Sequence, residues 1–317
     1  MPSRILHLLG WPALAAGLLA LPHGLNFSQQ EILVFLTINV LLVAAYRLLT
    51  LTGEWSLGHV VIMGVGAYAS ALYTKEFGVF VPVSMLLGAG TAALIAMALS
   101  FPLFRMKGFY FLIGSFAAGE IIRLLWKRFR EPFGGPKGIK GIDPMPDFDA
   151  GIWQFDFFEP VSYYYFTLAV VGFCLWILWR IERSPVGLTF HAVHWRDTLA
   201  EAAGVNVRAY RTLAFVIASG FAGLSGALLS ARLAAGDPNA GLAWELDAIS
   251  AVVVGGTLLT GGAGTMSGSL AGVLLLSILL NLINQLGTLG SYAQPVVSGL
   301  FLIAVVLVQA YLTRKQR

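Results

Sequence analysis

An all-α, polytopic membrane fold is what the sequence predicts, on three observations. Only 11% of the 317 residues are charged and 57% are hydrophobic, against about 25% charge in an ordinary globular domain. Apolar runs of roughly 20 residues recur along the whole length, each long enough to cross ~30 Å of hydrocarbon. The runs are continuous, unlike the alternating ~10-residue strands of a membrane barrel. The same arithmetic excludes a soluble domain, a disordered chain and a coiled coil.

Ten apolar segments follow one another at 5–22, 30–49, 58–74, 81–104, 109–126, 161–180, 211–231, 247–260, 265–286 and 292–312. Residues 1–30 read as a first span and an external turn, because no clear small-residue cleavage site precedes the polar break at Pro22–Gln30. The third and eighth segments are short for a span and rich in glycine. Each is either a broken helix lining a pathway or a tilted helix at a close-packed contact. The whole of 1–317 reads as a single transmembrane domain. Ten spans put both termini on one side. Arg4, Arg47, Arg105, Lys107, Arg180, Arg183, Arg196, Arg208, Arg211, Arg314, Lys315 and Arg317 collect on that side. The positive-inside rule makes it cytoplasmic. The net charge of +4 then reflects basic loops and implies no nucleic-acid partner.

Catalytic chemistry is absent from the motifs. The chain has no phosphate-binding GxxxxGK[ST] loop, no GxSxG elbow and no HExxH pair, so it cannot hydrolyse ATP. The lone Cys174 forms no intrachain disulfide, and no His/Cys set has metal-ligand spacing. His191 and His194 read as a solvated pair beside Trp195.

Two polar segments are longer than turns need to be. Segment 127–160 carries Gly134-Gly135-Pro136-Lys137-Gly138 and then a run of aromatics from Trp153 to Phe158. It is either a lid on one end of the bundle or a docking surface for a soluble partner. In segment 181–210, Trp195, Leu199, Ala202 and Ala203 share one face of a helix over 195–204, with Arg196, Asp197 and Glu201 off that face. Gly204 is placed to end the helix. Such a helix lies free on the surface, on the membrane, or in the groove of a partner.

Polar groups inside spans are costly and point to function. Glu120 and Arg123, three residues apart, read as a structural ion pair. Asn39, Asn281, Asn284 and Gln285 bridge helices or line a hydrophilic path. Glu245 and Asp247 open the eighth segment, where they also suit a helix N-terminus. No carboxylate sits mid-span opposite a basic residue of another obvious helix, which argues against a proton-coupled carrier.

Particular strings resemble one family. Gly53-Glu54-Trp55-Ser56-Leu57-Gly58-His59 with Gly64-Val65-Gly66-Ala67-Tyr68 is similar to a segment of bacterial branched-chain amino-acid ABC importer permeases of the LivM type. So are Lys107-Gly108-Phe109-Tyr110-Phe111 with Gly119-Glu120-Ile121-Ile122-Arg123, the Gly134–Ile139 loop, Arg183–Gly187 and Glu201–Asn206. The last third, from Ser230 through Glu245-Leu246-Asp247, Gly255-Gly256-Thr257, Gly261–Gly264 and Asn281–Asn284, looks more like ribose-type permeases of the same broad family.

The resemblance implies a membrane subunit of a type II ABC importer in the bacterial inner membrane. It implies two cytoplasmic ATP-binding subunits that hold ATP and Mg, a second homologous permease (a heterodimer before a homodimer) and a periplasmic substrate-binding protein. No cofactor is expected in this chain. Trp195, Arg196, Asp197, Leu199, Glu201, Ala202, Ala203 and Gly204 would couple to an ATPase. Gly134, Gly135, Pro136, Lys137 and Gly138 would lie in a periplasmic docking loop. Pathway roles are expected for Asn39, Ser56, His59, Asn281 and Asn284. A branched-chain or other amino acid is the first expected solute, and a sugar, nucleoside, urea or amide the alternative. An ion-coupled carrier, or a lipid-acting enzyme built on His59 and Glu54, are the competing classes.

Overall fold

The computed structural model describes residues 17–149, 154–241, 244–258, 261–262, 264–286 and 293–315. The expected first span lies largely outside them. The chain then forms α1 (Phe27–Thr50), α2 (His59–Phe77), α3 (Val81–Leu103), α4 (Phe109–Arg128), α5 (Pro160–Glu182), α6 (Pro185–Trp195), α7 (Asp197–Ala202), α8 (Val207–Leu233), α9 (Trp244–Val254), α10 (Met266–Leu286) and α11 (Ala293–Lys315). Among the described residues, α1, α3, α4, α5 and α8 are long and apolar enough to cross a membrane, and α10 and α11 contain shorter apolar stretches. The all-α membrane expectation therefore holds. The strands are two-residue pieces: β1 (Ile139–Lys140) pairs with β4 (Ala235–Gly236), and β2 (Phe148–Asp149) with β3 (Gln154–Phe155), both antiparallel.

Local chemistry sets the helix ends. Asn26 and Gln29 form a reciprocal capping box at the start of α1. Asn206 accepts from the Ala209 N–H at the start of α8 (3.1 Å). Pro160 and Pro185 occupy the first turns of α5 and α6, where a missing N–H costs nothing.

Two helix groups share α1. In the first, α2 packs against α3 and α8, while α1 packs against α5 and α8. In the second, α9 packs against α10 and α11, and both α9 and α10 return to α1. Val43 and Tyr46 of α1 join Ala248 and Val252 of α9 and Val273 and Leu276 of α10 in one apolar cluster.

The two short segments resolve differently. The third is an unbroken 19-residue helix, α2, buried on almost every side, so its glycines serve close packing. A side chain at Gly66 would collide with the Gly223 backbone of α8, and one at Gly226 with the Met63 carbonyl. The eighth segment is a true half-span. Its helix α9 has 11 residues, about 17 Å at 1.5 Å per residue, and ends in a turn whose Gly256, Gly261, Gly262 and Gly264 all have positive φ. Ion pairs do join different helices, through carboxylates placed near helix ends and not mid-span. Arg123 meets Glu245, Arg47 meets Glu182 and Arg232 meets Glu31, pairings spread over more than a hundred residues of sequence that no local pattern reveals.

The packing makes opposite predictions for two glycines. Gly66→Val should cost more than about 3 kcal/mol by overpacking a backbone contact and abolish the monodisperse peak on size exclusion. Gly90→Ala, on an exposed face of α3 with no atom near the new methyl, should leave stability unchanged or raise it by up to about 1 kcal/mol.

Candidate functional site

Three regions hold the residues singled out by sequence. The first is the α6–α7 corner. Its expected helix over 195–204 is interrupted: α6 ends at Trp195, Arg196 is extended (φ −154°, ψ 91°), and α7 restarts at Asp197. Local chemistry favours a start on each side of the break. The Ser184 hydroxyl accepts from the Gly187 N–H at the start of α6. Asp197 then places a negative charge in the first turn of α7, where the helix dipole favours it. Gly204, at φ +85°, follows the end of α7 as expected. The apolar stripe faces outward. Trp195 is 70% exposed and Leu199 63%, Ala202 and Ala203 are exposed with Glu201 and Gly204, and only Ala200 turns inward. Trp195, Leu199, Ala203 and Val205 border an open, nearly apolar groove of about 430 Å³.

A charge relay anchors this corner. Asp197 accepts from Lys107 (3.2 Å) and lies 3.9 Å from Arg211, whose Nε lies 3.4 Å from the buried Glu54. The Lys107 hydrogen bond, with the Thr198 N–H and Arg211, holds Asp197 below the usual carboxylate range. His194, adjacent to Trp195, points the other way, and a side chain at either Gly53 or Gly262 would overlap its ring. Burial holds its imidazole below the ordinary value, and the nearby His191 and Arg211 add to the effect. The expected solvated pair is thus half replaced by a packed wedge. Among the described residues no cluster has the ligands for a metal ion.

The second region is the loop end. Gly134, Gly135 and Gly138 have positive φ, and a side chain at Gly138 would collide with the Gly236 carbonyl of β4. These glycines therefore build a tucked turn, leaving Pro136 and Lys137 exposed. Trp153 lies outside the described residues.

The third region is a cavity of about 210 Å³ midway along α1, lined among others by Asn39, Trp244, Asp247, Ser277 and Asn281. The structure thus places Asn39 and Asn281 on one cavity. It does not bring Ser56 and His59 there. The Ser56 N–H donates to the Tyr46 hydroxyl (3.1 Å), and His59 packs edge-on to that ring at 5.1 Å, so both sit in the α1–α2 packing. Asn284 belongs to α10, but its side chain lies outside the described set. Arg123 pairs with Glu120 (2.9 Å) as read from the sequence and also with Glu245 (2.8 Å), linking α4 to α9. Asp247 accepts from Ser298 (2.5 Å). The sequence signal for Trp244 and Asp247 was their place at the start of a short Gly-ended segment.

With this geometry in hand, comparison places the chain. The family model for the permease component of branched-chain amino acid transport systems matches residues 29–309. The chain belongs to this permease family. It is 26% identical over 275 residues to the high-affinity branched-chain amino acid permease LivM of Escherichia coli, covering 81% of the chain and 63% of LivM. It is 37% identical over 141 residues to a ribose import permease of Bacillus subtilis and 35% identical over 141 residues to one of Haemophilus influenzae. Each of these alignments covers 44% of the chain and 43% of the relative, so it spans less than half the length of either. No solved structure matches significantly. The chain is a multi-pass membrane permease whose relatives include both amino-acid and ribose permeases.

Two substitutions probe these sites. Arg123→Met strands the buried Glu245 carboxylate and should cost about 3 kcal/mol, measured as a loss of thermal stability in nanodiscs. Glu54 tests the α6–α7 relay. Burial pushes its carboxyl up to about 7 from the ordinary 4.5, against the pull of Arg211 and Lys107. The folded state therefore holds this proton more tightly than the unfolded chain. That contribution to stability is full below about pH 4.5 and lost as pH rises through about 7. Wild type should accordingly lose melting temperature relative to Glu54→Gln between pH 5 and pH 8. An offset independent of pH would refute the assignment.

Proposed function

We propose that this chain is the membrane subunit of an ATP-driven importer in the bacterial inner membrane, with both termini cytoplasmic. ATP and Mg reside on two cytoplasmic ATPase subunits, one of which seats α6 and α7. A second homologous permease completes the pathway, and a periplasmic binding protein delivers solute at the 127–160 end. The observation that carries this reading is the outward-facing Trp195 and Leu199, two large apolar side chains on a short surface helix pair. Isolated exposed apolar residues are ordinary, but a contiguous apolar groove marks an interaction surface. The short exposed helices that present Trp195 and Leu199 suit seating in a partner's groove. Family membership supports the same arrangement.

The corner is also built to pass motion inward. Trp195 faces out while its neighbour His194 is wedged against Gly53 and Gly262, so displacement of α6 presses on the α1–α2 turn and on the turn that ends α9. Orientation is supported by Lys107, Arg180, Arg183, Arg196 and Arg208, which gather around this end. Arg183 lies over the Trp179 ring at 4.4 Å, an arrangement suited to a membrane–water boundary.

The solute is small and polar. An amino acid is the solute expected first from the resemblance, and a sugar is the alternative.

Affinity capture of ATPase subunits by the tagged chain decides the docking assignment. Leu199→Asp or Glu201→Arg should reduce capture at least tenfold while leaving the size-exclusion profile unchanged. Normal capture and transport by both variants, or uphill transport by the chain alone, would overturn the reading.

A further inference from the structure

The outer face of α5 carries positive charge that no protein group answers. Phe173, Trp176, Trp179, Arg180 and Arg183 recur at the three- and four-residue spacing of one helix face. Phe173 is 61% exposed and Trp176 56%, and Trp179, Arg180 and Arg183 are exposed beside them. The Phe173 ring stacks on Trp176 at 6.0 Å. The Arg180 guanidinium lies 6.0 Å from the centre of the Trp176 ring, and that of Arg183 lies 4.4 Å from Trp179. Both arginines and both tryptophans line an open cavity of about 710 Å³ that continues past Ser184 to Pro185. Among the described residues no Asp or Glu lines it, and neither arginine belongs to an ion pair. The adjacent carboxylate, Glu182, is turned inward to Arg47 (3.2 Å). At the same end of the molecule Lys107 and Arg211 also have carboxylate partners.

Position along the helix decides what can answer these charges. α5 is among the helices long and apolar enough to cross a membrane. Ten residues separate Phe173 from Arg183, about 15 Å at 1.5 Å per residue. The aromatic end of the stripe therefore lies at hydrocarbon depth, while the cationic end reaches the headgroups. A soluble partner could meet the arginines but not Phe173 and Trp176. A zwitterionic lipid brings its own ammonium to two uncompensated cations. An anionic glycerophospholipid satisfies both ends. Its phosphate takes the planar guanidinium forks, and its acyl chains lie along Phe173 and Trp176. The indole rings already steady the guanidinium groups, so less side-chain freedom is lost when the phosphate arrives. We propose that this face of α5 is a binding site for one anionic glycerophospholipid. In the proposed orientation the lipid belongs to the cytoplasmic leaflet.

The site needs α5 to cross the membrane and needs no ATPase partner, so its failure and that of the importer reading are separate results. Native mass spectrometry of the full chain in detergent, with equal amounts of dioleoyl phosphatidylglycerol and dioleoyl phosphatidylcholine, compares headgroups on identical acyl chains. Each interfacial cation favours an anionic lipid by roughly fivefold, so the first adduct of the wild type should be phosphatidylglycerol by about tenfold or more. The double variant Arg180→Gln/Arg183→Gln should bring that ratio close to one. Arg105→Gln/Arg208→Gln removes the same charge from two other exposed positions and should keep the preference. Equal retention of the two lipids by the wild type, or the same fall in both double variants, would overturn the inference. Displacement of phosphatidylglycerol by millimolar inorganic phosphate at constant ionic strength would assign the arginines to a free anion instead. A dimer lost only in the α5 variant would give the face to a second copy, and it too would overturn the lipid assignment. The wild-type ratio and the phosphate competition need no variant to fold.

Discussion

The backbone contact between α2 and α8 is the constraint on which the remaining structure depends. Lipid tails are as apolar as leucine, so helices inside a bilayer gain little from hiding apolar surface against each other and adhere by close packing instead. Here Gly66 meets Gly223, Gly226 meets the Met63 carbonyl, and Gly88 of α3 rests on the Gly66 carbonyl. These approaches fix α8 as a rigid 27-residue rod with an arginine near each end. At one end Arg211 faces Glu54 and Asp197. At the other Arg232 takes Glu31 and the carbonyls of Phe157 and Phe158, while its guanidinium lies 5.3 Å from the Tyr163 ring. Neither set of partners is adjacent in sequence, so each depends on where the glycine contacts place the rod.

The second helix group is attached by buried charge as much as by apolar packing. Arg47, 1% exposed, donates to the Thr257 hydroxyl (3.1 Å), the Glu182 carboxylate (3.2 Å) and the Gly264 carbonyl (2.6 Å). One side chain thereby joins α1, α5 and the turn after α9. Desolvating a guanidinium is expensive, and the expense is offset only when several acceptors converge on it. The arrangement serves specificity more than net stability, since shifting the α9–α10 turn leaves an arginine buried without its acceptors.

Legibility in the sequence followed the range of the signal. Span positions were readable because an apolar run is a local property, and from the second segment onward the described helices fall close to the expected segments. Gly204 was readable for the same reason. The break at Arg196 was not, because the apolar stripe from Trp195 to Ala203 satisfies helical spacing equally well across an interruption. Asn39 and Asn281 meet in one cavity, whereas Ser56 and His59, equally polar, are consumed by packing around Tyr46. Residue type alone cannot separate these outcomes, since both depend on which helices become neighbours. The role of His194 was hidden for a further reason: its partners are Gly53 and Gly262, which have no side chain to signal the contact.

The half-span α9 reaches both the cavity and the α6–α7 corner. A helix that stops inside a bilayer must have its free backbone groups satisfied by protein; here the N–H groups of Gly255, Thr257 and Gly256 donate to the carbonyls of Ala251, Val252 and Val253, and other helices hold the turn that follows. The Gly262 N–H donates to the Thr50 carbonyl (3.0 Å), Arg47 holds the Gly264 carbonyl, and Arg123 holds Glu245 at the opposite end. The element is thus clamped at both ends by α1 and α4, while its first turn presents Trp244 and Asp247 to the cavity. Its final turn touches His194 through Gly262, one residue from the exposed Trp195. A packed route of rigid pieces therefore runs from the outer face of α6 to the cavity wall. A full-length helix at this position would end at the membrane surface on both sides. Stopping short is what places one end of α9 against the cavity and the other against the corner that a partner would grip.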